Sequence, residues 1–296
     1  MIYLGHFGLR EAPFGITPDT SFFYSCHSTQ EALNTLVVAV ANGEGFIKVT
    51  GEVGTGKTLL CRTLLATLGE GWVSAYLPNP DLDPRALLLA LGEDLGAGLD
   101  PNGDQHHLVR GLQLSLLDFA RRGKRALVCL DEAQAMPIET LETLRLLTNL
   151  ETEKRKLLQV VLFGQPELDE KLAHQSIRQL RQRITFQHRL GTLSRAEVGL
   201  YLEHRMHVAG HTGEAMFSPS AVGAIHRASG GVPRLVNILA NKSLMVAFGR
   251  GRRRIGWSEA RAAISDTPAA DSLRHLWAWL ALAGVAGTSL GWLMLK

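Results

Sequence analysis

Cysteine is scarce in this chain. Cys26, Cys61 and Cys129 are the three in 296 residues. They share no metal-ligand spacing, and an odd, dispersed set does not build a disulfide framework. Reduced thiols of a cytoplasmic compartment are the expectation. There is no excess of one charge: 31 Lys and Arg stand against 28 Asp and Glu, net +3, so the molecule as a whole is not a polyanion binder. Residues 1–6, MIYLGH, lack a basic stretch ahead of a long apolar run, and no secretory leader is expected. Apolar residues are plentiful at 46%, enough for one large domain or two.

One stretch lacks charge altogether. Residues 276–295 contain no Asp, Glu, Lys or Arg, and a run of about 20 apolar residues crosses a bilayer core. Trp277, Trp279 and Trp292 stand near its ends, as interfacial aromatics do. Gly284, Gly287 and Gly291 give it one small face. Arg274 and the Arg250–254 run lie on its N-terminal side, and only Lys296 lies beyond. The positive-inside rule then keeps the bulk of the chain cytoplasmic. A single-pass inner-membrane helix is the expectation.

The densest glycine cluster reads GEVGTGKT over residues 51–58 and fits the phosphate-binding pattern G-x-x-x-x-G-K-[ST]. A β-branched run, 46–50, precedes it and an apolar helix pattern, 58–68, follows. A strand feeding a glycine loop that opens a helix aims backbone N–H groups and a helix dipole at one anion. Gly51, Glu52, Val53, Gly54, Thr55, Gly56, Lys57, Thr58 and Leu59 are the expected nucleotide cradle. Lys57 would reach the β- and γ-phosphates, and Thr58 would offer its hydroxyl to Mg²⁺. Further on, RALVCLDE over 125–132 is an apolar strand ending in two acids. Asp131 would hold Mg²⁺ and Glu132 would orient the attacking water.

The rest of the chain supplies the frame. Residues 1–45, with Phe7, Phe14, Phe22, Phe23 and Tyr24, read as a lead-in packing on the core. The Ser28…Glu31 spacing reads as a capping box opening a helix. A strand is expected at 72–77, helices from Asp83 and over 108–122, an amphipathic helix at 136–150 and a buried strand at 157–163. Gln165, at the tip of that strand, is a candidate for sensing a γ-phosphate, or a plain turn residue. Arg178, Arg181 and Arg183 sit on a helix that is either a solvated face or the source of an arginine for a neighbouring subunit's nucleotide. From Ser194 the strands stop. Helices at 195–209, 219–228 and 233–248 make a small all-helical lid, with Arg234 in the first turn after Pro233. His204, His207 and His211 have helical spacing, but Gly210 interrupts them and no metal site is expected. Arg250, Arg252, Arg253 and Arg254 read as a solvated basic turn; contact with anionic lipid is the further reading, and nucleic acid is not an expected partner.

As a set these motifs resemble the AAA+ ATPases, and within them the general-secretion-pathway A (ExeA-like) group and its short MSHA-type pilus-biogenesis relatives. The residues that carry it are 7–9, 13–14, 18–19, 22–24 and 31–33 of the lead-in, 51–58, LDEAQ at 130–134, FGQPEL at 163–168, QLRQRI at 179–184 and GVPR at 231–234. The resemblance implies an α/β fold, an αβα P-loop NTPase sandwich with an all-helical lid, ATP with Mg²⁺, and assembly with itself as a ring or dimer. It makes Gln165 similar to sensor 1, Arg183, then Arg181, similar to the arginine finger, and Arg234 similar to sensor 2. It also implies an inner-membrane ATPase serving a type IV pilus-like or type II secretion apparatus. Long members carry a peptidoglycan-binding region after the span; this sequence ends at Lys296, so peptidoglycan binding is not expected. The domain reading is 1–45 lead-in, 46–190 ATPase core, 191–266 lid, 267–275 linker and 276–295 membrane helix. A DNA-linked ATPase of the transposition-regulator or initiator type is the alternative, and a non-hydrolysing nucleotide-gated scaffold the third reading.

Overall fold

The computed structural model describes residues 2–149 and 156–268. The expected membrane helix at 276–295 lies outside them, as does Leu150. Among the described residues no helix is long and apolar enough to cross a membrane.

The chain divides into two compact units, 27–191 and a second made of 1–26 with 192 onward. The first unit is built on five parallel strands: β1 (Phe46–Gly51), β2 (Trp72–Leu77), β3 (Arg125–Leu130), β4 (Leu158–Gly164) and β5 (Ile184–Leu190), in the order β2-β3-β4-β1-β5. A parallel sheet needs both faces covered. Every residue of β4 is buried accordingly. On one face Val128, Leu130, Val160 and Leu162 join the buried leucines of helices Pro84–Asp94, Gln105–Arg121 and Ile138–Leu147. Strand residues alternate faces, so Leu127, Cys129, Val161 and Phe163, also fully buried, point to the other side. There helices His27–Ala41 and Lys57–Thr67 pack. Each such leucine or phenylalanine contributes about 1.5–3 kcal/mol by leaving water. From β1 the chain crosses to the sheet edge at β2 and returns through β3 and β4. The carboxyl ends of β1, β3 and β4 thus form the crevice where parallel sheets bind ligands.

The sequence reading has no counterpart to β5. Its alternating burial, with Thr185, Gln187 and Arg189 exposed, marks an edge strand. Two other expectations are corrected. The 136–150 helix is a 3₁₀ turn, Ala133–Ala135, followed by a helix Ile138–Leu147, because Pro137 fits only at a helix entrance. The helix near Ser28 starts at His27, and Ser28 Oγ instead accepts from the Gly191 N–H at 3.4 Å.

The second unit contains helices Leu4–Phe7, Arg195–Val208, Pro219–Ser229, Pro233–Gly249 and Trp257–Ser265. The last of these adds a helix to the three expected for the lid. The Ser194 capping box is present with both bonds. Residues 1–26 of the expected 1–45 lead-in group with these helices, and residues 27–45 with the α/β unit. Tyr3, Phe7, Phe14 and Phe22 are buried among Leu202, Met206, Val236 and Leu239. Arg205 fastens them. Its Nε donates to Pro13 O at 2.5 Å, one Nη donates to the Tyr201 hydroxyl at 2.9 Å, and its guanidinium lies 4.7 Å from the Phe22 ring centroid.

The basic run at 250–254 is only partly a solvated turn. Arg250 and Arg252 lie 2.9 and 3.4 Å from Oε1 of Glu259, whose side chain is fully buried. The Gly256 N–H donates to Oε2 and the Ser258 hydroxyl to Oε1. Burial opposes ionisation of Glu259, but these bonds outweigh it and bring its pKa down from 4.5 to about 2. A carboxyl depressed in the folded state stabilises above its unfolded value and loses that contribution as pH falls through its folded value. Stability of this unit should therefore decline between pH 4.5 and 2, with a Glu259 contribution of about 2–3 kcal/mol given its exposed arginine partners. Thermal melts across that range should show the decline in wild type and a shallower one in Glu259→Gln; parallel curves would refute the assignment.

Candidate nucleotide site

The loop after β1 is shaped by its glycines. Gly54 and Gly56 adopt φ of 81° and 100°, a region that favours glycine. At Gly51 a Cβ would come 2.8 Å from Thr55 Oγ1 and 3.1 Å from Leu190 Cβ, so the loop closes against the end of β5. Thr55 ties it internally, donating to Glu52 O at 2.8 Å. Gly56 is the N-cap of the Lys57–Thr67 helix, with no side-chain cap. The free N–H groups of that first turn face an anion position.

Lys57 is 5% exposed and donates to Gly51 O at 2.8 Å and Glu52 O at 3.0 Å. Burial pushes its pKa below the usual lysine value, against the pull of Glu132 and Asp131. At the end of β3, Asp131 is 2% exposed. Its Oδ2 accepts from the Thr58 hydroxyl at 2.5 Å and its Oδ1 from the Glu132 N–H at 3.0 Å. Burial raises the Asp131 pKa, with those bonds opposing. A buried carboxylate beside a hydroxyl, facing a cleft, offers the hard oxygens that Mg²⁺ takes alongside phosphate and water.

Glu132 is the one described non-glycine residue with positive φ, 53°. Its Oε2 accepts from Gln134 Nε2 at 2.6 Å and Gln165 Nε2 at 2.9 Å. Burial favours the neutral acid, yet these donors and Lys57 bring its pKa below 4.5. The structure thus brings Lys57, Thr58, Asp131, Glu132 and Gln165 together across three strand ends. It adds two residues to which the sequence reading gives no role, Gln134 and Lys171. Gln134 also accepts the Gln165 N–H at 3.0 Å, and Lys171 donates to Gln134 O and Met136 O at 2.5 and 2.6 Å. A Gln two residues after paired acids is the available sequence signal for the first.

The remaining candidates lie elsewhere. Arg183 donates to Arg145 O at 3.3 Å and Thr148 Oγ1 at 3.4 Å within its own chain, finishing the Ile138–Leu147 helix. Arg181 is exposed. Arg234 is exposed in the first turn of Pro233–Gly249, in the second unit. Among the described residues no group of three His, Cys, Asp or Glu is placed to hold a metal, and the three lid histidines make none.

The fold and loop geometry agree with comparisons to known proteins. A protein-family model described as AAA domain matches residues 40–172. Over those residues the chain is similar to AAA domains. It is similar to General secretion pathway protein A of Aeromonas hydrophila, at 40% identity over 98% of this chain and 53% of the relative. The chain thus spans about half the length of that relative. Among solved structures, the Aeropyrum pernix ORC2 protein in ADPNP–ADP complexes shares the fold with a TM-score of 0.61 and 17% identity, over 84% of this chain and 72% of that one. Cdc6p from Pyrobaculum aerophilum gives 0.62 and 18%, over 83% and 70%. The Thermotoga maritima RuvB branch migration motor gives 0.57 and 16%, over 85% and 73%. At these identities the likeness carries the fold alone. The matched stretch begins before β1 and ends in the helix after Gln165, enclosing every side chain of the crevice described above.

Proposed function

We propose that this chain binds Mg²⁺·ATP in the crevice at the ends of β1, β3 and β4, hydrolyses it, and uses the cycle at the inner membrane to assemble a secretion or type IV pilus-like apparatus. The observation that carries the ATPase reading is the convergence of Lys57, Asp131 and Glu132 on the mouth of one glycine loop. The helix N-terminus and residues 51–59 cradle the phosphates. Lys57 leaves the carbonyls it holds for the β- and γ-phosphates. Thr58 and Asp131, already joined by a hydrogen bond, would hold Mg²⁺, which would supply charge neutralisation at the phosphate oxygens. Glu132, held ionised, orients the attacking water, and Gln165 contacts the γ-phosphate.

Completion by a second copy fits the arginines before β5. Arg181 is exposed, whereas Arg183 is tied to its own chain, so Arg181 is the better placed to reach a neighbour's nucleotide. Arg234, in the first turn of Pro233–Gly249, is the candidate for the sensor 2 role. The envelope role rests on the similarity to General secretion pathway protein A, and membrane anchoring on the uncharged sequence at 276–295. Purified full-length protein should release phosphate from ATP in the presence of Mg²⁺ and stop on chelation. The same protein should stay with membranes after alkaline extraction, and lose that association without residues 269–296. Phosphate release that ignores chelation would overturn the site, and full extraction of the intact chain would overturn the anchor.

A further inference from the structure

Glu132 and Gln165 come from different strands, yet one side chain joins them. The Gln134 amide nitrogen donates to Glu132 Oε2 at 2.6 Å, and its oxygen accepts the Gln165 N–H at 3.0 Å. Both ends of the amide are therefore committed to the two neighbours. The surroundings are shaped to keep it there. A Cβ on Gly164 would come 3.2 Å from the Gln134 oxygen and 2.7 Å from Leu168, so a bare backbone makes the room. Lys171 Nζ donates to the Gln134 and Met136 carbonyls, fixing the main chain of the short turn that follows Glu132. Glu132 sits in the left-handed region, which costs a non-glycine residue roughly 1–2 kcal/mol. Such a conformation persists when neighbouring bonds over-determine it. Gln134 and Lys171 are those bonds.

We propose that Gln134 is a positioning residue for ATP hydrolysis: it locks the Glu132 carboxylate to the Gln165 backbone, so that water-orienting acid and phosphate-contacting amide move as one unit. This rests on the ATPase reading above. The Gln134 side chain makes both its given bonds inside the protein and acts on catalysis through Glu132. With Gln134 truncated, the Glu132 carboxylate keeps only the Gln165 side-chain donor and loses its tie to the Gln165 backbone, so its aim at the water is no longer fixed.

The test is kcat and KM for ATP of full-length wild type, Gln134→Ala and Gln134→Met, with affinity for a fluorescent ATP analogue measured in parallel. The expected result is an analogue affinity and a KM within about twofold of wild type, with kcat alone lower by about tenfold or more. Met has a similar shape and no donor, so it reports the same loss if the Ala variant cannot bind the analogue. A kcat within about twofold of wild type in both variants would overturn the proposal while leaving the ATPase reading intact. A wild type without turnover would overturn both.

Discussion

Replacing Lys57 by Ala should abolish ATP turnover while leaving the empty protein no less stable than wild type. The two halves of that expectation come from the same environment. The Lys57 ammonium is 5% exposed, and burial lowers its pKa; the folded state is therefore penalised for carrying this charge, and its two carbonyl partners at 2.8 and 3.0 Å only partly compensate. Deleting the side chain removes that penalty along with the bonds. A site that holds a charge in readiness for phosphate is a place where function and stability oppose each other. With a triphosphate in the loop the same ammonium gains strongly charged acceptors, and its loss removes both affinity and transition-state stabilisation. Wild type at a hundredfold excess of ATP over Kd should gain about 2.7 kcal/mol of stability, seen as a rise in melting temperature. Lys57→Ala should show no such rise, a melting temperature without ATP at or above that of wild type, and no phosphate release above background. Undiminished turnover by the variant would remove Lys57, and with it the loop, from the chemistry.

The chemistry is legible in the sequence because it is carried by short local patterns. A glycine loop after a strand, and two acids after another, need only neighbouring residues to be recognised, and β1, β2 and β3 form over or within one residue of their expected bounds. What is illegible depends on partners distant in the chain. β5 alternates Ile184, Phe186, His188 and Leu190 with polar residues, a period-two signal masked by the arginine-rich helix before it. The aromatics of residues 3–22 carry no periodicity because they fill gaps among helices roughly 180–240 residues later. The pairing of Arg250 and Arg252 with Glu259 turns part of a surface-looking charge run into a buried ion-pair cluster, and only tertiary contact reveals it. Gln134 is intermediate: the sequence places it beside the acids, but its second bond, to Gln165, exists because β3 and β4 are neighbours in the sheet.

Gly231→Ala should unfold or severely destabilise the helical unit, by about 3 kcal/mol or more. Gly231 adopts φ of 76°, and a Cβ there would lie 2.0 Å from the Leu193 carbonyl oxygen and 3.0 Å from Leu193 C and N. All three atoms are backbone, so no rotamer change can relieve the clash. The segments also exchange a bond, Leu193 N–H to Gly231 O at 2.9 Å, and separating them leaves a buried amide unpaired, a further cost of about 1–3 kcal/mol. Leu193 immediately precedes the Ser194 cap of the Arg195–Val208 helix, and Gly231 lies two residues before the helix that starts at Pro233. The contact therefore sets the start of one helix against the start of another, and Arg234 is in the first turn of the second. A displaced turn moves Arg234 even where the unit survives. Gly249→Ala is the matched control: it lies at the end of the same helix, and a Cβ added there would meet nothing within 4 Å, so alanine should be neutral or slightly stabilising. Urea unfolding of both variants distinguishes strain from a general intolerance of substitution. A Gly231→Ala midpoint equal to that of wild type would show that the two segments can part without cost, and would remove the reason for reading Arg234 as held in place by them.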